Sequence, residues 1–163
     1  MTVVADSSPL IVLAKIGCFE LLHRLFPRVY ISAKVYDEVV VSGAGLPGAS
    51  EVAEAQWIEV KQLPRPEELL ELQGKYALGP GEISTILLAK HLGAVALLDD
   101  YLARKIAEAE SLQVLGTVGL LETFHVRGHL TDLRAAFRQL LMHSYIDRRL
   151  LDLRLRSLGI PAL

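Results

Sequence analysis

With 163 residues, 52% of them hydrophobic, and a formal net charge of −2, the sequence describes one domain, expected over residues 1–163. Its longest apolar run, 83–98, is broken by Lys90 and His91, which excludes a membrane span. No basic stretch precedes an apolar one at the N-terminus, so a cytoplasmic protein is expected, and the single cysteine, Cys18, excludes an intrachain disulfide and a cysteine-rich zinc site.

From the N-terminus, a short β-rich apolar run ends on Asp6, and Ser7-Ser8-Pro9 signals the turn into a helix over 9–16. Gly17 interrupts that helix before a second one, 18–26, whose apolar neighbours place Cys18 in the core. A second strand, 28–32, ends at Ser32, which is placed to cap a helix over 33–41. After the Gly/Pro-rich break 42–48 come a helix over 49–56 and a third strand, 57–60. Helix 67–76 carries acids in its first turn, as the helix dipole favours. The glycine-bounded turn 78–81 feeds the strongest helix, 82–92, which Gly93 stops. Residues 94–98 form a continuous apolar run of the kind a central parallel strand shows, and it finishes at Asp99-Asp100. A helix over 101–110, a short strand over 113–115 and a helix from Gly116-Thr117 to about Val126 follow. Two arginine-bearing helices, near 132–143 and 147–158, complete the chain. Strands alternating with helices predict the α/β class, a three-layer α/β/α sandwich on a five-stranded parallel sheet.

Charge is unevenly spread. Residues 1–126 carry 10 Lys/Arg against 16 Asp/Glu, whereas residues 127–163 carry seven arginines against three aspartates. Such a tail could set phosphate-binding groups beside a metal site, or simply form solvated helix faces.

Two strands, the first and the fourth, end in aspartate. In a doubly wound sheet of order 3-2-1-4-5 these strands are neighbours at the topological switch point, so their carboxylates share one crevice. Glu38, on the helix leaving the second strand, and Glu82, opening the helix into the fourth, extend the set. Each acid taken alone also has an ordinary reading: Asp6, Glu82 and Asp100 all stand where helix N-termini favour acids. Packed together, carboxylates raise each other's pKa unless a cation neutralises them. Oxygen ligands without His or Cys suit Mg²⁺ or Mn²⁺. The five histidines show no ligand spacing.

Asp6-Ser7-Ser8-Pro9-Leu10-Ile11, Glu38, Gly81-Glu82-Ile83-Ser84, Leu97-Leu98-Asp99-Asp100 with Arg104, and Gly116-Thr117 together resemble the PIN-domain family. The similarity is greatest to its small prokaryotic branch beginning Asp-Ser-Ser-Pro-Leu, and it spans nearly the whole chain. The resemblance implies a Mg²⁺- or Mn²⁺-dependent nuclease for single-stranded RNA, frequent homodimers and, in many members, a VapC-type toxin held by a small antitoxin. It assigns Asp6, Glu38, Glu82 and either Asp99 or Asp100 to catalysis and metal binding, with Ser7 and Arg104 beside the substrate. Two departures stand out: the third acid is Glu rather than Asp, and the fourth strand ends Leu-Asp-Asp. Ser7 could also simply cap its helix, and Thr117 could cap a helix or bind phosphate, with capping the favoured reading. A different function would be a catalytically weak nucleic-acid- or partner-binding module on the same fold. A phosphoaspartate protein fits poorly, because the first strand lacks Asp-x-Asp and the last carries no lysine.

Overall fold

The computed structural model describes residues 1–163. At its centre five parallel strands, β1 (Val3–Ala5), β2 (Val29–Ser32), β3 (Ile58–Lys61), β4 (Val95–Leu97) and β5 (Val114–Leu115), lie in the order 3-2-1-4-5. Residues Val3, Val4 and Ala5 pair in register with Val95, Ala96 and Leu97, so β1 and β4 end side by side.

Alternation along these strands sends side chains to opposite faces. Val3, Ala5 and Leu97 enter a cluster of 24 buried residues, while Val4, Ala96 and Leu98 enter one of nine on the other face. The larger cluster is filled by α1 (Ser7–Lys15), α2 (Leu21–Leu25), α3 (Ala33–Tyr36), α4 (Ala49–Glu54), α8 (Thr117–Val126), α9 (Leu133–His143) and α10 (Arg148–Ser157). The smaller one is covered by α6 (Pro80–Leu92) and α7 (Tyr101–Ala109), with α5 (Glu67–Lys75) packed on α6. The three-layer order expected from the sequence is the one observed. No helix is long and apolar enough to cross a membrane.

Two elements differ from the sequence reading for local reasons. The helix expected over 18–26 is reduced to α2, because Gly17 takes φ +74° and closes α1 with a Schellman motif. There the Cys18 amide donates to the Leu13 carbonyl at 2.8 Å and the Gly17 amide to Ala14 at 3.3 Å. Both Leu13 and Cys18 are buried in the larger cluster, as that motif favours. The helix expected over 33–41 begins as α3, with Ser32 capping it through the Val35 amide, then widens into a π-helical turn over Asp37–Val41. Gly43 allows the chain to leave that turn, since a Cβ there would press on the Val39 carbonyl.

The larger core carries most of the packing, and Phe124 of α8 is fully buried in it. Phe124→Ala is expected to lower unfolding free energy by about 3–5 kcal/mol, read as a reduced urea midpoint with unchanged slope.

Candidate functional site

At the carboxyl edge of β1 and β4 each acid arrives by its own local route. Asp6 occupies the N-cap position of α1, yet its side chain makes no capping hydrogen bond. Three residues on, where a cap would find an amide, stands Pro9, which has no N–H. The residue is only 5% exposed, and its carboxylate is met by the Ser7 amide rather than by an amide at the third helical position.

Glu38 lies in the π-helical turn, a conformation frequent at functional positions. The Ser7 hydroxyl donates to its Oε2 at 2.5 Å. Both Glu38 carboxylate oxygens stand 2.5 and 2.6 Å from where a Cβ on Gly81 would be, so Glu38 fits only because residue 81 has no side chain. Gly81 is fixed from behind by Ser84 and Thr85, which donate to its carbonyl at 2.9 and 2.8 Å. Ser84 also shares a 2.6 Å hydrogen bond with Ser32 at the end of β2. Glu82 follows directly, in the first turn of α6.

The two aspartates after β4 divide their work. Asp99 receives the Thr117 amide on Oδ1 and the Thr117 hydroxyl on Oδ2, both at 2.7 Å, and the Ser8 hydroxyl on Oδ2 at 3.2 Å. Asp100 caps α7, its Oδ2 accepting the Ala103 amide at 2.9 Å, while its charge still bears on Glu82. Thr117, which the sequence suggested as a cap, instead holds Asp99. The N-cap position of α8 belongs to Gly116, whose lack of a side chain lets the Asp99 carboxylate reach the helix's free amide. Arg104 is close by: a Cβ on Gly116 would meet its guanidinium and, at 3.1 Å, Asp99 Oδ1.

Electrostatics mark these groups as one unit. Burial pushes the Asp6 carboxyl up to about 7, with Glu82, Glu38 and Asp99 raising it further against the lowering pull of the Ser7 amide. Glu82 is also raised, first by burial and then by Asp100 and Glu38. None of Asp6, Glu38, Glu82 and Asp99 has an ion-pair partner within the chain. Hard oxygen donors carrying uncompensated negative charge fit a divalent cation of the Mg²⁺ or Mn²⁺ kind. No three of the acids stand close enough in this arrangement to enclose one ion.

Ser8, Gly81 and Gly116 stand in the motifs quoted from the sequence, but the sequence assigned them no role of their own. The signal for Ser8 was the second hydroxyl in Asp6-Ser7-Ser8, one serine for each neighbouring acid. Three of the seven tail arginines are paired with a carboxylate: Arg149 with Asp147, Arg148 with Asp152 and Arg154 with Glu122 of α8. Two histidines have structural partners, His23 stacking on Trp57 and His125 bonding the Leu130 carbonyl.

A family model described as a PIN domain matches residues 2–159. Among solved structures, the crystal structure of PAE2754 from Pyrobaculum aerophilum is similar, with a TM-score of 0.53 and 17% identity. The match covers 78% of this chain and 96% of that one, and at such identity it is a likeness of fold. No curated protein matches the chain.

Two outcomes are expected from this geometry. Because the folded Asp6 pKa of about 7 exceeds its ordinary 3.8, the folded state holds an extra proton between those values. Its contribution to stability is therefore lost as pH rises from about 4 to about 7. Urea unfolding across that window, without divalent ions, should show Asp6→Asn gaining steadily on wild type. Gly81→Ala should leave the melting temperature equal or slightly higher, since alanine suits a helix by about 0.5–1 kcal/mol. It should nevertheless displace Glu38 and diminish the thermal shift produced by Mn²⁺.

Proposed function

The chain belongs to the PIN-domain family, and on that premise we propose that it is a divalent-metal-dependent ribonuclease hydrolysing phosphodiester bonds of single-stranded RNA. One observation carries the reading: Asp6, Glu38, Glu82 and Asp99 come from four separate elements to one strand edge, with no cation of the protein neutralising them. PIN domains are generally dependent on divalent metal, and the fold suggests nucleic-acid binding.

In this proposal Asp6, Glu38, Glu82 and Asp99 hold Mg²⁺ or Mn²⁺. When bound, such an ion acidifies water and neutralises charge on the phosphodiester. Ser7 fixes Glu38, while Thr117 and Ser8 fix Asp99, so three hydroxyls keep two carboxylates in place before a ligand arrives. Asp6 gives up its proton as the ion binds, so affinity should rise with pH toward about 7. Arg104, half-buried beside Asp99, takes the scissile phosphate. Asp100 acts as a helix cap whose charge bears on Glu82. The family resemblance also supports a toxin role opposed by a small antitoxin, and a homodimeric state.

The test is cleavage of labelled single-stranded RNA with Mn²⁺ or Mg²⁺, in wild type and Asp6→Asn. Asparagine keeps the size and removes the charge, and the variant should lose about 10²-fold or more in rate. Chelation should abolish the wild-type reaction. If folded wild type leaves several RNAs intact with either ion, the chain is a binding module instead. The toxin role predicts growth arrest on induced expression, absent for Asp6→Asn.

A further inference from the structure

A cavity of about 380 Å³ opens from the carboxylate cluster toward the C-terminal helices, sharing Asp99, Gly116 and Thr117 with it. Arg104 lies on its wall near Asp99, and no carboxylate pairs with this guanidinium. Leu115, Val118, Leu140, Ile146 and Leu150 form its apolar walls. Among its polar lining, Arg154 grips Glu122 through two parallel hydrogen bonds of 2.5 and 2.8 Å, and Glu122 is largely buried, with 13% of its side chain exposed. Tyr145, on the segment joining α9 to α10, stands at the rim fully exposed, making no aromatic contact or side-chain hydrogen bond.

A cation beside the carboxylates, apolar walls, a free aromatic face and a rigid donor–acceptor pair together offer the contacts that one nucleotide can use. The volume lies in the range of small-molecule sites. We propose that this cavity is a nucleotide subsite: it takes the residue adjoining the scissile phosphate, with its base stacked on Tyr145 and its edge meeting Glu122 and Arg154. The proposal rests on the ribonuclease reading and deepens it. The tail arginines enter substrate recognition only through Arg154, which the Glu122 pairing holds in a fixed direction. A base edge meeting that pair faces one set of donors and one set of acceptors, which is the basis for discriminating among bases. Stacking on Tyr145, by contrast, accepts any base because every base has a π-face.

The experiment compares wild type, Tyr145→Ala, Tyr145→Phe and Glu122→Gln on a short labelled single-stranded RNA. It measures both equilibrium binding by fluorescence anisotropy and cleavage kinetics with Mn²⁺. Tyr145 is fully exposed, so its replacement leaves the core untouched. For Tyr145→Ala, KM and the binding constant should weaken by roughly 5- to 100-fold, the range of one lost base–aromatic stack, with kcat within about twofold. Tyr145→Phe should restore both. Glu122→Gln should change which sequences are cut in a randomised RNA pool more than it changes the total rate. Cleavage by wild type that is indifferent to Tyr145→Ala in KM, binding and site choice would overturn the subsite while leaving the ribonuclease reading intact. Binding without cleavage, weakened by Tyr145→Ala and restored by Tyr145→Phe, would support the subsite while that reading fails. Neither binding nor cleavage by folded wild type would overturn both.

Discussion

Everything at the strand edge depends on holding negative charges together without a counter-charge. Carboxylates in a buried crevice lose solvation and repel one another, and Asp6 and Glu82 are both driven toward their protonated forms, first by burial and then by their acidic neighbours. The chain opposes that repulsion with hydroxyl and amide donors rather than cations. Ser7 reaches across to Glu38, Ser8 to Asp99, and Thr117 binds Asp99 from the opposite side. A neutral donor stabilises a carboxylate without cancelling its charge. The cluster therefore keeps an appetite for a cation that an internal ion pair would have satisfied.

The sheet supplies the geometry for this arrangement. Parallel pairing of β1 with β4 ends both strands at the same edge, and the Asp6 amide donates to the Leu97 carbonyl at 3.0 Å to close the ladder there. The turn from β1 into α1 then has to carry an acid and two working hydroxyls within three residues. Pro9 makes this feasible. It fits the first turn of a helix, where its missing amide is no loss, and it offers Asp6 no amide at the third helical position. On the far side Gly81 gives up a side chain so that Glu38 can occupy its space. Local conformational choices thus serve the position of charges some thirty to ninety residues apart in sequence.

Much of this was legible in the sequence, and the parts that were not share a cause. Apolar runs bounded by turn signals revealed five strands in α/β alternation, and the aspartates closing two of them marked the edge. Periodicity could not locate α2 or the π-helical turn, because both boundaries follow from backbone hydrogen bonds around Gly17 and over 37–42 rather than from side-chain pattern. The Asp99-Asp100 pair was ambiguous for a similar reason. Both residues suit the position before a helix, and only the structure shows Thr117, eighteen residues on, bonding Asp99 while Asp100 caps α7. The Thr117 role was hidden by the same contact: a threonine at a helix start reads as a cap until the acid beside it is known to take that amide.

The cations complete the logic from the other direction. Arginines 148, 149 and 154 are each tied to a carboxylate on or beside the C-terminal helices, so part of the basic tail is already neutralised. Arg104 alone among the arginines named here combines a place beside Asp99 with the absence of a carboxylate partner. A unit ion pair at 4 Å near a protein surface is worth about 4 kcal/mol of Coulomb energy. Had Arg104 closed on Asp99, energy of that order would oppose any ligand that separates them. Keeping the two near but unpaired leaves a negative cluster for a metal and a positive group for a phosphate side by side, each available because the other has not consumed it.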